Sequence, residues 1–404
     1  MSEQKKIIID KPDSDGFEVD WNTIEEEYKK SRSKRHHRHH HHHRRKHSSS
    51  NSSSNSSHSS TSKKKKMKKW KKVTLGIIIF LLSIILAGVI AFFVLRDIGK
   101  QNMTTKELKM NIPDFVDYYK DGGKYIEYKG HTYEFNENQS WILFLGIDNT
   151  KMEKQTVAGT SGQADALYLL VFNLKTGKIR TLVINRDTMT DINIYDVGGN
   201  YVGSKRKQLC LAYAYGSTPA NSAQNQVKSV ERLLYNIPIT SYYSIDLSAI
   251  KILNDDIGGV TLTPNYTFGS FTKGQSVTLK GDRAEEFVRK RDITLLDDHT
   301  RRIECQKQYI SAFADQIVPS IRKDFRVPIS LYSDSSDYSY SNMGIPELVF
   351  LSSSLATTYS GIDFVGTPGT YKMVKGDSSA EYILEQEKFF QTILDLFYTR
   401  VDSQ

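Results

Sequence analysis

The feature that most constrains this chain is an uninterrupted run of uncharged residues from Val73 to Leu95. At a helical rise of ~1.5 Å per residue, the run crosses the hydrocarbon core of a bilayer with a slight tilt. A buried core helix and a signal peptide are the alternatives, but the apolar part of a signal peptide is shorter and lies nearer the N-terminus. The basic segment Lys63–Lys72 precedes the run, and such a flank belongs on the cytoplasmic side. The sequence therefore predicts a single-pass cell-membrane protein with a cytoplasmic N-terminus and with residues 96–404 outside the cell.

Residues 1–72 form a predicted disordered cytoplasmic tail. They contain 20 Lys and Arg against 9 Asp and Glu, whereas residues 73–404 contain 35 against 37. The His-rich segment His36–His47 and the Ser-rich segment 48–62 have too little apolar area to offset the entropy of ordering. The His-rich segment could bind zinc or nickel, but a solvated basic linker is the simpler interpretation. Because the remaining chain has no basic excess, we expect it to bind no nucleic acid.

Apolar runs alternate with helical spacings beyond the polar lead-in at residues 96–138. Buried strands are predicted at Trp141–Ile147, Ala166–Phe172, Ile179–Ile184, Ser241–Leu247, Val260–Thr263 and Ile362–Val365. Helices are predicted around residues 227–234, at Asp282–Arg289, at Arg302–Ile317, at Pro346–Thr357 and from Ser378 onward. The last helix is predicted because Ser378 and Glu381 have the spacing of a capping box. The pattern favours a three-layer α/β/α sandwich with a mixed central sheet over a β-sandwich.

Two aspartates lie at the ends of predicted strands. Asp148 directly follows the strand Trp141–Ile147, and Asp165 heads the next strand. In open α/β sheets, ligands bind beyond the carboxyl ends of the strands. Two convergent carboxylates suit Mg²⁺, which takes one or two carboxylates together with phosphate oxygens and water. A strand-end Asp is more often only a turn former, so position alone does not establish a metal site.

Arginine side chains are concentrated near the same strand ends and around one charged loop. Arg186 and Asp187 follow the strand Ile179–Ile184, and Gln306 lies four residues after Arg302, on the same face of a helix. Arginine binds phosphate oxygens bidentately, which suits a diphosphate ligand. A structural Arg–Asp pair and a solvated helix end are the alternatives. The densest charged cluster is Val288–Asp292, followed by Asp297–Arg302 and then Gln306.

The sequence lacks several well-known catalytic motifs. It contains no Gly-x-Ser-x-Gly nucleophile elbow, no phosphate-binding Gly-x-x-x-x-Gly-Lys loop and no His-Glu-x-x-His metal motif. Only His131 and His299 follow the apolar run, which leaves no plausible Ser-His-Asp triad. Any chemistry must therefore depend on Asp, Arg and a metal ion.

Taken in order, these motifs resemble those of the LytR–CpsA–Psr family of cell-envelope proteins. The matching segments are Leu145–Asp148, Asp165–Leu167, Ile184–Thr188, Leu211–Gly216, Ile257–Val260, Arg289-x-Arg291 and Arg302-x-x-x-Gln306. Each motif is weak alone, but their order and spacing make the set specific. The match covers about residues 141–317, and the single span with a cytoplasmic N-terminus also resembles the family architecture.

The resemblance implies a phosphotransferase that moves a glycan phosphate from a polyprenyl-diphosphate carrier to peptidoglycan with the help of Mg²⁺. Carried over by position, Asp148 and Asp165 would hold Mg²⁺. The side chains that would bind and activate the diphosphate are Arg186, Asp187, Arg289, Arg291, Arg302 and Gln306. Residues 139–320 would form the catalytic domain, and residues 321–404 would complete the same fold.

The chain departs from the family pattern at several positions. Gln163 and Asn185 replace the usual Arg and Pro, and Cys210 and Cys305 stand where the family has polar or cationic residues. We expect two independent, half-buried thiols rather than a disulfide. The loss of polar groups leaves two other functions open. These are a lipid-diphosphate hydrolase and a non-catalytic polyprenyl-phosphate-binding or regulatory membrane protein of the transcriptional-attenuator type.

Overall fold

The computed structural model describes residues 61–105, 107–149, 159, 162–196, 198–290, 298–373 and 380–402, without the side chains of residues 61–68, 298, 299 and 380. The predicted disordered tail, residues 1–72, lies outside the described residues as far as residue 60, and so do Arg291 and Ser378. Its last part, residues 61–72, is helical rather than disordered, because the helix that contains the apolar run begins at Thr61. The first described element is the helix α1 (Thr61–Met103). Its segment Lys69–Met103 is, among the described residues, the one helix long and apolar enough to cross a membrane. The uncharged run is thus the central part of a longer helix, able to anchor the chain by a single pass.

The described residues after α1 alternate between strands and helices. The strands are β1 (Tyr118–Lys120), β2 (Tyr125–Tyr128), β3 (His131–Phe135), β4 (Gln139–Ile147), β5 (Ala164–Asn173), β6 (Ile179–Ile184), β7 (Met189–Tyr195), β8 (Tyr201–Gln208), β9 (Tyr242–Ile245), β10 (Val260–Leu262), β11 (Val277–Leu279), β12 (Ser339–Ser341), β13 (Ile362–Gly366), β14 (Gly369–Met373), β15 (Ala380–Leu384) and β16 (Tyr398–Arg400). The helices are α2 (Leu211–Ala214), α3 (Pro219–Leu233), α4 (Leu247–Asp256), α5 (Asp282–Arg289), α6 (Asp298–Lys323), α7 (Val327–Asp334), α8 (Ile345–Thr358) and α9 (Gln386–Phe397).

The central sheet has six strands in the order β12-β9-β4-β5-β6-β13. The β9–β4 and β6–β13 pairs are parallel, and the other three neighbouring pairs are antiparallel. The predicted mixed sheet is therefore confirmed. The apolar runs that predicted its strands are long and almost continuous because β4, β5 and β6 are covered on both faces.

Side-chain alternation along β4 divides the core between two helical layers. Leu143 and Leu145 are fully buried in a cluster that also holds Val230 of α3 and Phe390 of α9. Their neighbour Ile142 points to the opposite face, where it packs in a cluster with Phe350 of α8. Successive strand residues point to opposite faces of a sheet, so a strand that is apolar at every position requires helices on both sides. The result is the predicted three-layer α/β/α sandwich.

The C-terminal region differs from the predicted helix that begins at Ser378. Residues 380–384 form β15, which pairs with β14 in an antiparallel hairpin, and Glu381 lies opposite Lys372. The helix α9 begins only at Gln386. The capping-box prediction is wrong because the main chain at Glu381 belongs to the ladder with β14 and not to a first helical turn. Tertiary pairing has overridden a local helix signal.

The strand directions bring four chain segments to one edge of the central sheet. Strands β4, β6 and β9 run in the same direction and end at this edge, whereas the antiparallel β5 begins there. Asp148 and Asp246 therefore follow the ends of β4 and β9, and Arg186 follows the end of β6. Asp165 is the second residue of β5. Polar side chains that are distant in sequence meet at this edge.

Candidate active site

A pocket of about 490 Å³ opens at this edge of the sheet. Six of the side chains predicted from the sequence line it, namely Asp148, Asp165, Arg186, Arg289, Arg302 and Gln306. Arg291, the remaining predicted arginine, lies outside the described residues. The sheet edge and the helices α5 and α6 thus bring together residues from five separate motifs.

The inner part of the pocket is a cluster of one carboxylate and two guanidinium groups. Arg186 Nη1 is ion-paired with Asp165 Oδ1, and Arg302 Nη1 lies 3.9 Å from Asp165 Oδ2. The side chain of Arg302 is 6% exposed, and those of Arg186 and Asp165 are 20% and 21% exposed. Arg186 Nη2 also donates to Gln163 Oε1 at 3.0 Å. The two cations are preorganised around a largely desolvated site, where electrostatic interactions are stronger than in water.

Asp187 contacts Arg186 rather than lining the pocket. Its Oδ1 lies 3.5 Å from Arg186 Nε and accepts a hydrogen bond from Gln208 Nε2 at 3.2 Å. The hydroxyl of Tyr371 donates to Asp187 Oδ2 at 3.4 Å. A carboxylate repels a diphosphate, but it can hold the guanidinium that binds one. The geometry places Asp187 behind Arg186, in contact with its guanidinium.

The outer part of the pocket carries a more exposed ion pair. Arg289 Nη2 lies 3.4 Å from Asp148 Oδ1, and Arg289 Nη1 lies 3.2 Å from Glu285 Oε1 in the preceding helical turn. The side chains of Arg289 and Asp148 are 53% and 50% exposed. Solvent screens such pairs, so they contribute little to folding and leave both groups free to exchange partners for a ligand.

Gln306 connects three elements at the base of the pocket. Its Oε1 accepts from the hydroxyl of Tyr168 on β5 at 2.6 Å, and its Nε2 donates to the carbonyl of Val288 on α5 at 3.0 Å. Burial raises the pKa of Tyr168, so the phenol remains a protonated donor at neutral pH. Gln306 therefore fixes α6, which carries Arg302, against the sheet and α5.

Asp246 also lines the pocket, although the sequence did not single it out. It is the N-cap of α4, and its Oδ1 accepts from the backbone N–H groups of Ser248 and Ala249 at 2.8 and 3.1 Å. The residue is 1% exposed, and none of the described groups hydrogen-bonds its Oδ2. Burial raises the pKa of Asp246 above the usual aspartate value. The predicted strand Ser241–Leu247 contained Asp246, whereas β9 ends at Ile245, so the strand-end position that identified Asp148 could not be recognised for Asp246 in the sequence.

The carboxylates of the pocket fit a divalent cation that shares its ligands with a phosphate. Among the described residues, no group of three or more His, Cys, Asp or Glu side chains is arranged to hold a metal by itself. The described part of the lining contains three guanidinium groups, of Arg186, Arg289 and Arg302, and three carboxylates, of Asp148, Asp165 and Asp246. Their charges balance, so a diphosphate would make the pocket anionic unless a cation accompanied it. Mg²⁺ takes only one or two protein carboxylates when phosphate oxygens complete its shell.

Both cysteines are free and buried, in separate surroundings. Cys210 contacts the amide oxygen of Gln163 behind Arg186, with 3.7 Å between Sγ and Oε1. Cys305 belongs to an apolar cluster that also contains Phe287 and Val288 of α5 and Val260 of β10. The thiols are independent, as expected, but they are fully rather than half-buried. Burial raises the pKa of each thiol to about 11, so neither is a thiolate nucleophile at neutral pH.

A second, apolar cavity of about 300 Å³ adjoins the charged pocket beneath the sheet edge. Ile245 and Ile250 line both spaces. The apolar walls come from the sheet and from α6 and α8, and include Phe144, Leu170, Phe313, Ile317, Leu351 and Leu355. The two spaces together suit a ligand with a charged head and an apolar tail.

The family model described as LytR-CpsA-Psr matches residues 104–395, which is most of the chain. The protein belongs to the LytR-CpsA-Psr family. The match extends beyond the motifs of residues 141–317 and includes the small sheet β1–β3 and most of α9.

Individual relatives agree with this assignment. The chain is 32% identical over 175 residues to the polyisoprenyl-teichoic acid–peptidoglycan teichoic acid transferase TagU of Bacillus cereus, covering 42% of this chain and 50% of the relative. The chain thus spans about half the length of the curated relatives it matches. A Streptococcus agalactiae protein has the same fold, with a TM-score of 0.52 at 19% identity over 66% of this chain and 91% of its own. TagV of B. subtilis is similar, with a TM-score of 0.50 at 22% identity over 64% and 97%.

Proposed function

We propose that this protein is an extracytoplasmic, Mg²⁺-dependent phosphotransferase that attaches a glycan polymer from a polyprenyl-diphosphate carrier to peptidoglycan. In this proposal α1 anchors the chain in the cell membrane, the basic N-terminal flank stays in the cytoplasm, and the domain after α1 faces the envelope. The relative TagU carries the name of a transferase with a polyisoprenyl-linked donor and a peptidoglycan acceptor. Membership of the same family supports the same class of reaction here.

The observation that carries the proposal is the junction between the charged pocket and the apolar cavity. Arg186 and Arg302 meet at Asp165 on one side of this junction, and on the other side the walls are almost wholly hydrocarbon. A polyprenyl diphosphate has the same division, because its diphosphate is polyanionic and its chain is a hydrocarbon. A water-soluble sugar phosphate would leave the apolar cavity without a matching group.

The reaction requires an acceptor hydroxyl to form a P–O bond to the phosphorus that bears the glycan and to release its proton, while the bond from that phosphorus to the bridging oxygen breaks. The polyprenyl phosphate leaves, so negative charge develops on its oxygens. Arg186 and Arg302 are positioned to bind those oxygens, and Arg289 at the rim can reach the glycan side. Phosphoryl transfer depends mainly on positioning and charge stabilisation, so arginines can supply much of the catalysis.

Asp148 and Asp165 would hold Mg²⁺ together with diphosphate oxygens. When bound there, the ion neutralises charge on the phosphates and orients them. Both carboxylates are at present paired with arginines, Asp165 with Arg186 and Asp148 with Arg289. Ligand binding would therefore exchange carboxylate partners for phosphate partners on each guanidinium. That exchange keeps the pocket close to charge balance.

The departures from the family pattern fit a retained site. Gln163, which stands where the family has Arg, accepts from Arg186 Nη2 and so helps to orient the remaining cation. Cys305 lies in an apolar cluster with Phe287 and not in the lining of the pocket. The lost cations reduce the positive charge without removing the Arg186–Asp165–Arg302 arrangement.

The test is a transfer assay with full-length protein in vesicles that contain a radiolabelled polyprenyl-diphosphate glycan and added peptidoglycan. We expect label to become covalently attached to peptidoglycan in wild-type protein, and we expect a chelator to prevent it. Release of label as free glycan phosphate would instead support the lipid-diphosphate hydrolase. Binding of the donor without turnover would support the non-catalytic binding or regulatory protein.

A further inference from the structure

The C-terminal end of α1 is fixed to the folded domain. Asn102 Nδ2 donates to Glu347 Oε1 of α8 at 2.6 Å, and the carbonyl of Met103 accepts from the buried Ser140 Oγ at 2.9 Å. At Gly99 an added Cβ would lie 2.0 Å from the carbonyl oxygen of Pro346, so the two backbones are in direct contact. The helix continues without a break from the apolar run into these contacts. Within the described residues, the helix therefore passes directly from the apolar run into contact with the domain.

One contact reaches into the apolar run itself. The ring of Phe92 packs against the ring of Phe325 with 5.5 Å between centroids and 70° between planes. Phe92 is three residues before Leu95, the last residue of the uncharged run. With a rise of ~1.5 Å per residue, it lies about 5 Å inside that end of the run. A side chain that touches Phe92 must therefore lie at the boundary between hydrocarbon and head groups.

Phe325 lies in the short connection between α6, which ends at Lys323, and α7, which begins at Val327. Phe325 is 46% exposed despite the contact with Phe92. The neighbouring cations Arg322, Lys323 and Arg326 are also exposed. Asp324 is the one carboxylate of this segment and pairs with Arg326, whose Nη2 lies 2.8 Å from its Oδ2. A segment that combines an exposed aromatic ring with a net positive charge is suited to bind an anionic membrane surface.

We propose that residues 322–327 form a membrane-docking loop whose partner is the anionic phospholipid surface of the membrane that α1 crosses. The ring of Phe325 enters the interfacial layer beside Phe92, and Lys323 and Arg322 contact lipid phosphates. Burial of the Phe325 ring and attraction between the basic side chains and lipid phosphates thus both favour binding of the same loop to the membrane. Because the end of α1 is held against the domain, α1 determines which face of the domain lies on the bilayer.

The docking loop lies next to the apolar cavity and so affects how a lipid reaches that cavity; this consequence rests on the proposed function. Val318 and Ile321, just before the loop, and Pro328, just after it, line that cavity. Leu351 and Leu355 of α8, the helix that contacts α1, also line it. The docking loop therefore brings the cavity wall to the membrane surface. A polyprenyl chain can then pass from the bilayer into the cavity with little exposure to water.

Depth-dependent quenching tests the docking directly and needs no catalytic activity. Full-length Phe325→Cys is labelled with an environment-sensitive fluorophore and placed in vesicles of phosphatidylglycerol and phosphatidylcholine that contain a lipid-borne nitroxide quencher. Val202→Cys, at an exposed position on β8, is the matched control, and the wild-type chain with its buried thiols is the labelling blank. We expect strong quenching at position 325 and little at position 202. Equal quenching at the two positions would overturn the docking proposal.

A second measurement tests lipid entry. Phe325→Glu should lower transfer from a long-chain polyprenyl donor in vesicles by about tenfold, which corresponds to ~1.4 kcal/mol. Phe325→Glu should leave turnover of a short-chain, water-soluble donor unchanged. Phe325→Trp, which keeps an aromatic ring at this position, should retain the wild-type rate with the long-chain donor. Equal loss with both donors would show that the loop does not act on lipid entry. If wild-type protein transfers neither donor, the proposed function fails, whereas the quenching result still decides the docking.

Discussion

The inner and outer halves of the charged pocket contain the same residue types in different environments. In the inner half, Asp165 is shared by Arg186 and Arg302, and the three side chains are 6–21% exposed. In the outer half, Asp148 and Arg289 pair at 3.4 Å with side chains that are about half exposed. The inner groups have lost most of their water and depend on one another, whereas the outer groups retain it.

This difference assigns different tasks to the two halves. Removal of one partner from a buried cluster leaves an uncompensated charge, so the inner residues matter for both stability and ligand binding. An exposed pair contributes ~0.2–1 kcal/mol at most, so the outer residues can serve a ligand at almost no structural cost. Mutations in the inner half should therefore change folding and activity together, and mutations in the outer half should change activity alone.

The largest effect is expected from Arg186→Ala. Loss of one preorganised charge-stabilising donor should lower glycan transfer by at least ~10²-fold, corresponding to ~2.7–4 kcal/mol. Arg186→Lys should recover little of it, because lysine cannot reproduce the bidentate geometry. Initial rates of label transfer to peptidoglycan give the measurement, and Arg206→Ala, an exposed arginine on β8, is the control. Near-normal transfer by Arg186→Ala would contradict an active role for the inner cluster.

The next effect is on stability and compares the two carboxylates. Asp165→Ala should lower the free energy of unfolding by about 3 kcal/mol, because Arg186 and Arg302 would be left close together without their shared anion. Asp148→Ala should lower it by less than ~1 kcal/mol. Urea unfolding of both variants, followed by tryptophan fluorescence, measures the difference. Equal losses for the two variants would remove the distinction between inner and outer halves.

A smaller effect is expected from Asp148→Asn on the metal requirement. If Asp148 is one of two protein ligands, the Mg²⁺ concentration for half-maximal transfer should rise by ~10-fold or more, since even loss of an outer-shell partner costs ~10–100-fold in metal affinity. Saturating Mg²⁺ should restore most of the activity because the fold is intact. Titration of chelator-treated protein gives this concentration, and an unchanged value would exclude Asp148 as a ligand.

The smallest effect concerns Asp246, whose carboxyl is buried within the same pocket. Burial raises the pKa of this carboxyl in the folded state, so the folded protein binds the proton more tightly than the unfolded chain does. Protonation at acid pH therefore stabilises the fold. That contribution is lost as the pH rises through the raised pKa towards neutrality. Asp246→Asn keeps the helix cap without the buried charge, so its stability relative to wild type should increase over this pH range.

The control for that prediction is Asp246→Ala, which removes the cap of α4. It should lose ~1 kcal/mol through the cap, a loss that Asp246→Asn avoids at every pH. The measurement is the free energy of unfolding of the three proteins at several pH values. A constant difference between Asp246→Asn and wild type would show that the carboxyl does not titrate with folding.

Much of the architecture was predictable because its signals are local. The strands Trp141–Ile147 and Ile179–Ile184 lie within β4 and β6, and the helix Asp282–Arg289 has the same bounds as α5. The C-terminal helix was misplaced because residues 380–384 pair with β14, a contact that a capping-box spacing does not reveal. Asp246 was missed because its significance depends on β9 lying beside β4 in the sheet.

The sequence by itself determined that one apolar helix could cross a membrane and that Asp148, Asp165 and Arg186 stand at strand ends. Helix length and the hydrophobic period are properties of neighbouring residues, so they can be read along the chain. Only the tertiary structure decided that Arg302 shares Asp165 with Arg186 and that Phe92 touches Phe325. Those contacts depend on strand order and helix packing, which join residues far apart in sequence and leave no periodic signal in it.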